Sequence, residues 1–181
     1  MSRDMMVDIE TLSSQPDAMV LSIGWCFFNL DNPEEPVHGK GYVVLDRKIQ
    51  EGKRHIDSNT VKWWTEQSDA ARVAAFNMDG GLYSDYKGFE VFYEALEGAD
   101  TCWANGSDFD NVVLKSLGQV VAPELKWPYR KNRCYRTIKA IFGSSTDKIE
   151  LEKLGLVGHN ALDDAVYQAE HMRLMLKRME E

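Results

Sequence analysis

Asp8 and Glu10 stand two residues apart in the run Val7-Asp8-Ile9-Glu10, whose alternation of apolar and acidic side chains fits a β-strand. On a strand the two carboxylates emerge on one face and Val7 and Ile9 on the other. Like charges held that close repel unless a proton or a cation lies between them, so the pair suits a hard divalent metal with oxygen ligands. The pattern is also short and common, and alone it more often describes a solvent-facing edge strand. A second acidic group, Asp108-Phe109-Asp110, follows the apolar stretch Thr101-Cys102-Trp103-Ala104 and opens a helical pattern. Either acid there serves as a ligand or as a plain cap, because a helix N-terminus stabilises a nearby carboxylate. The third group, Gly158-His159-Asn160-Ala161-Leu162-Asp163-Asp164, opens the last helix. A neutral imidazole can take a proton from water acidified by bound cations, although a histidine at a helix start is usually just a cap.

These groups need elements that bring them together. Met5 to Glu10 reads as a first strand, the apolar run Ala18 to Leu30 as a second and Gly41 to Asp46 as a third, with Asn29-Leu30-Asp31-Asn32-Pro33 as the turn between the last two. Short connections imply an antiparallel meander. Asp57 or Ser58 caps a short helix carrying Trp63 and Trp64, Ser68-Asp69 opens another over Ala70 to Phe76, and Gly80-Gly81 breaks the pattern. Phe89, Phe92, Tyr93 and Leu96 recur at helical spacing, Thr101 to Ala104 is a short buried strand, and a helix from about Asp110 ends at Gly118. The final helix begins near Asn160 with Ala165, Ala169, Met172, Leu176 and Met179 on its core stripe. The alternation predicts an α/β fold with a mixed sheet flanked by helices.

In order, and across nearly the whole chain, the three groups resemble the DnaQ-like (DEDDh) family of 3′-5′ exonucleases on the ribonuclease H-like fold. The residues carrying the likeness are Val7-Asp8-Ile9-Glu10-Thr11, Phe109-Asp110, and His159 with Asp164-Ala165. The resemblance implies an antiparallel meander followed by parallel strands. It also selects Asp110 over Asp108 and Asp164 over Asp163. Two divalent cations, Mg²⁺ or Mn²⁺, would then be held by Asp8, Glu10, Asp110 and Asp164, with His159 activating water and Thr11 and Asn105 near the substrate. Asn105 is separated from Phe109 by three residues where the common pattern has two. Trp103-Ala-Asn-Gly, Trp63-Trp64 with Gln67, and Arg133-x-x-Arg136-Thr137 are similar to a subgroup containing ribonuclease AS and phage or prophage exonucleases. That likeness implies RNA over DNA, an adenine preference and a homodimer. Complete retention of the four carboxylates and the histidine argues against a silent nucleic-acid-binding or scaffold protein on the same fold.

The 181 residues, 44% of them hydrophobic, suit one domain spanning 1–181. The opening residues lack the apolar stretch of a signal peptide and no later run reaches membrane-span length, so a cytoplasmic location is expected. Three scattered cysteines suggest neither a disulfide framework nor a zinc knuckle. A net charge of -8 is unhelpful for whole-surface binding to a polyanion, but Lys126, Arg130, Lys131, Arg133, Arg136 and Lys139 occupy an interval free of acids between Glu124 and Asp147. Arg133 and Arg136, three apart on an expected helix, would share a face and meet the backbone phosphates of a single-stranded 3′ end. Trp63, Trp64, Trp103 and Tyr129 are candidates for stacking on bases, though adjacent Trp63 and Trp64 cannot both leave the same side of a helix.

Overall fold

The computed structural model describes residues 3–76, 82–143, 149 and 151–180. Strand β1 (Asp4–Thr11) is the middle of a five-stranded sheet. On one side β2 (Val20–Phe28) and then β3 (His38–Val44) run antiparallel as the expected meander. On the other, β4 (Thr101–Ala104) and then β5 (Asn132–Cys134) run parallel. Helices α1 (Arg47–Gln50), α2 (Ser58–Thr65), α3 (Asp69–Phe76) and α4 (Asp85–Glu97) connect β3 to β4. Helix α5 (Asp110–Val121) follows β4, α6 (Tyr135–Phe142) follows β5, and α7 (Ala161–Glu180) ends the chain. The expected glycine break at Gly80-Gly81 lies outside the described residues.

The period-2 pattern of β1 is satisfied on both faces. Met5, Val7 and Ile9 join Phe89, Phe92 and Leu96 of α4 and Val113, Leu114 and Leu117 of α5 in one core. Met6, on the opposite face, packs with Ala165, Ala169 and Met172 of α7. A smaller cluster seats Trp64, Ala71 and Ala75 on Leu12, Met19 and Leu21. Trp64 is buried there and its indole N–H donates to the Thr11 carbonyl at 2.9 Å, whereas its neighbour Trp63 is 39% exposed. Asp57 caps α2 by accepting from the Asn59 and Thr60 amides.

The packing departs from the sequence expectation at four places. Gly118 does not stop α5, which runs on to Val121. A Cβ there would meet the Phe89 ring at 2.3 Å, so this glycine serves helix contact. Met175, not Leu176, continues the fully buried row of α7, and Met179 is 54% exposed. A stripe spaced four and three residues has a period of 3.5, and an α-helix of 3.6 carries it progressively off the core. Arg133 and Arg136 do not share a helix, because Asn132–Cys134 pair with β4 and α6 begins only at Tyr135. Trp103 is buried with its indole N–H on Thr101 Oγ1 at 2.8 Å, which leaves its ring no role on a base. All three cysteines are free thiols, and no helix among the described residues is long and apolar enough to cross a membrane.

Candidate active site

Because Val7 and Ile9 are drawn into the core on one face, β1 turns Asp8 and Glu10 towards α7. Strand β4 pairs with β1 only from Asp4 to Met6, so the acidic end of β1 runs past its parallel neighbour. Into that opening comes the first turn of α5. The chain leaves β4 through Gly106, whose φ of +134° is glycine territory, and the Phe109 and Asp110 amides both fall back on the Gly106 carbonyl. Asp110 is thereby the first residue of α5 and is buried, while Asp108 stays exposed outside the opening.

The other wall is the start of α7. Asp8 lies opposite Gly24 on β2, and a Cβ at Gly24 would sit 2.1 Å from the Leu162 amide nitrogen. Only a glycine lets the helix press this close to the sheet. Asn160 caps the helix by accepting from the Leu162 amide at 3.0 Å. Asp163 accepts from the Val157 amide and so secures the incoming loop, which leaves Asp164 to face the sheet. His159 adopts the left-handed region, φ 61°, with its amide donating to Asp164 Oδ2 at 2.9 Å. Its exposed ring meets the Trp63 ring nearly edge-on, centroids 4.9 Å apart.

One cleft of about 390 Å³ is lined by Asp8, Glu10, Asp110, Asp164 and His159. Asn105, Phe109, Tyr135, Arg136, Lys139, Tyr167 and Gln168 complete its walls. Ligand atoms of Glu10, His159 and Asp164 all lie within 4.8 Å of one another. Burial, reinforced by the Asp110, Glu10 and Asp164 charges, drives the Asp8 carboxyl well above its ordinary range. Burial and then the charges of Asp164 and Asp110 push Glu10 up to about 8. Asp110 is pushed up to about 7 by burial, against backbone hydrogen bonding from its own residue and Ile9 and the nearby Arg136 charge. Asp164 is raised by burial, partly offset by the His159 amide. Four crowded carboxylates short of positive charge are the donor set that hard cations neutralise, so the residues fit a divalent metal centre.

Gln168, absent from the sequence expectation, belongs here. Its Nε2 donates to Asp8 Oδ1 at 2.8 Å, it is 4% exposed, and its Oε1 is buried without a hydrogen-bond partner. The available signal was its position four residues after Asp164, one turn along the same helix face. Tyr135 was equally unmarked, whereas Lys139 stood in the acid-free basic interval of the sequence. Of the expected substrate contacts, Asn105 and Arg136 line the cleft and are joined by Arg136 Nη2 donating to the Asn105 carbonyl at 2.7 Å. Trp63 stands beside it through His159. Arg133 and Thr11 are not in the lining: Arg133 Nη1 donates to the Arg130 and Asn132 carbonyls, and buried Thr11 donates its hydroxyl to Ser13 O.

Known proteins resemble this chain in sequence or in fold. An exodeoxyribonuclease of Enterobacteria phage T4 is 27% identical over 125 residues, 63% of this chain, and the chain spans 55% of that relative's length. The zinc-bound E. coli ExoI complex with single-stranded DNA superposes with a TM-score of 0.67 at 11% identity, over 99% of this chain and 41% of that one. The Mg²⁺- and Mn²⁺-bound S. pombe Pop2p gives 0.56 at 15% identity, over 97% and 83%. The structural likenesses show a shared ribonuclease H-like fold. The model of the 3′-5′ exoribonuclease Rv2179c-like domain matches residues 3–176, and the chain belongs to that family.

Proposed function

We propose that this chain is a metal-dependent 3′-5′ exonuclease that releases nucleoside 5′-monophosphates from single-stranded nucleic acid, RNA ahead of DNA. The observation that carries the reading is the convergence of Asp8, Glu10, Asp110 and Asp164 with His159 in one cleft, from three distant parts of the chain. The family's description as exoribonucleases supports RNA, and the metals in the Pop2p structure support Mg²⁺ or Mn²⁺. Two divalent cations, when bound, acidify a water and neutralise phosphate charge.

The chain's own residues supply the rest. Asp8, Glu10, Asp110 and Asp164 would hold the cations from the sheet, α5 and α7. His159, exposed at the cleft edge, takes the proton from the attacking water, and the contact with Trp63 limits where its ring points. Gln168 orients the Asp8 carboxylate through Oδ1, and so would steady a group that helps hold a cation. Arg136 and Lys139 bring positive charge to the cleft wall, where they can meet a phosphate.

Digestion of matched single-stranded RNA, single-stranded DNA and duplexes, labelled at the 5′ end and supplied with Mn²⁺, tests the reading. Stepwise ladders from the 3′ end, fastest on single-stranded RNA and lost in His159→Ala, are the expected result. Internal cuts, or an active variant, refute it. No shortening by the parent, with undiminished binding by Asp8→Ala, identifies a silent binding protein instead.

A further inference from the structure

The segment from Tyr129 to Lys139 carries exposed positive charge that no carboxylate among the described residues pairs with. Lys131 is spent on structure, its ammonium donating to the Leu96, Glu97 and Ala99 carbonyls at the end of α4. Arg130, Arg133, Arg136 and Lys139 differ: all four are exposed, and among the described residues none forms an ion pair with a carboxylate. On a protein of net charge -8, four exposed cations left without carboxylate partners in ten residues are a local reversal of sign.

Two of the four, Lys139 and Arg136, face the cleft as part of its lining, and the other two precede them in the chain. Arg133 lies three residues before Arg136 and ties Nη1 to the Arg130 carbonyl at 2.9 Å. Arg130 in turn lies beside Tyr129, Cζ 5.8 Å from the ring centroid and Nε donating to the hydroxyl at 3.3 Å, and that residue is 65% exposed. A row of cations leading out of a phosphate-cleaving cleft and ending on an open aromatic face matches the chemistry of a single strand: spaced phosphates with bases that stack.

We propose that Arg130, Arg133 and the Tyr129 ring form a second binding area that holds the upstream part of a single-stranded nucleic acid while its 3′ end occupies the cleft. The inference rests on the exonuclease reading and deepens it, because it makes affinity depend on strand length. The strand is favoured over an acidic protein partner because the same segment supplies Arg136 and Lys139 to the cleft and carries an exposed ring.

The test is fluorescence polarisation in EDTA with 5′-labelled oligonucleotides of about four and about twenty nucleotides, the range over which single-strand sites are filled. The parent and Arg130→Ala/Arg133→Ala are compared across a salt series, with the short strand as internal reference. The parent should bind the long strand more tightly, and the double variant should lose at least tenfold of that advantage. Its log-log salt slope on the long strand should flatten by about 1.4, two phosphate contacts at about 0.7 each. Tyr129→Ala should reduce long-strand affinity without changing the slope. An unchanged long-to-short ratio in both variants, with matching thermal melts, overturns the proposal while the parent still trims 3′ ends. That result would point to a protein partner for the row. A parent that neither binds nor trims either strand overturns both readings.

Discussion

Asp8 is the residue on which burial, charge and hydrogen bonding meet. It is held by Gln168, crowded by three other acids and pushed well above its ordinary titration range. An Asp8→Asn substitution therefore has opposite effects on activity and stability. It should abolish turnover, while in EDTA at alkaline pH the variant should melt no lower than the parent, because a buried charge has been removed. Gln168→Met keeps volume and deletes the donor to Asp8. Calorimetric titration with Mn²⁺ should show about tenfold weaker binding, the usual cost of losing a hydrogen bond that orients a metal ligand. An unchanged isotherm would leave Gln168 as packing alone. For His159→Ala the expected loss is about 10²- to 10⁴-fold in single-turnover rate, with the Mn²⁺ isotherm nearly preserved.

At the scale of elements, the site depends on how closely α7 approaches the sheet. Gly24 sets that distance, since its Cβ would lie 2.1 Å from backbone that has no rotamer to change. Gly24→Ala should cost about 1–3 kcal/mol or more in denaturant unfolding and should also weaken Mn²⁺ binding, because the start of α7 carries His159 and Asp164. Gly118→Ala makes a similar clash, with the Phe89 ring, but on the far face of the sheet. It should destabilise by a comparable amount and leave Mn²⁺ affinity alone. Equal effects of the two substitutions on the isotherm would contradict the separation of site face from core face.

For the whole molecule, the acidic cleft predicts how stability follows pH. Glu10 rises from 4.5 to about 8 and Asp110 from 3.8 to about 7 on folding, so between those limits the folded, metal-free protein binds more protons than the unfolded chain. Stability must then fall as pH rises through that window. Thermal melts in EDTA should drop from about pH 5 to about pH 9 by this linkage. Saturating Mn²⁺ should restore more at the higher pH, where the ligands have already lost their protons. A cation-induced shift larger at acid pH would contradict the assignment of these acids as ligands.

Much of this architecture was legible in the residues themselves. Alternation marked β1, the apolar run marked β2, and Asp57 marked a helix start through local chemistry that needs no distant partner. Resemblance chose Asp110 and Asp164 from their neighbours, and the structure supplies a physical reason: Asp108 is left in solvent and Asp163 is occupied by the Val157 amide. What local pattern does not encode is who meets whom across the fold. Gln168 touches Asp8 across 160 positions, Trp63 of α2 meets His159, and Gly24 and Gly118 are glycines because of a helix and a ring far away in sequence. Arg133 fell off its expected helix because pairing with β4 outweighed the spacing of its charges. The sequence by itself determined which strand and helix starts bear the acids, since hydrophobic periodicity and capping act over a few residues. Only the tertiary structure decided which side chains close the cleft around them, since that follows from packing between surfaces assembled from distant segments.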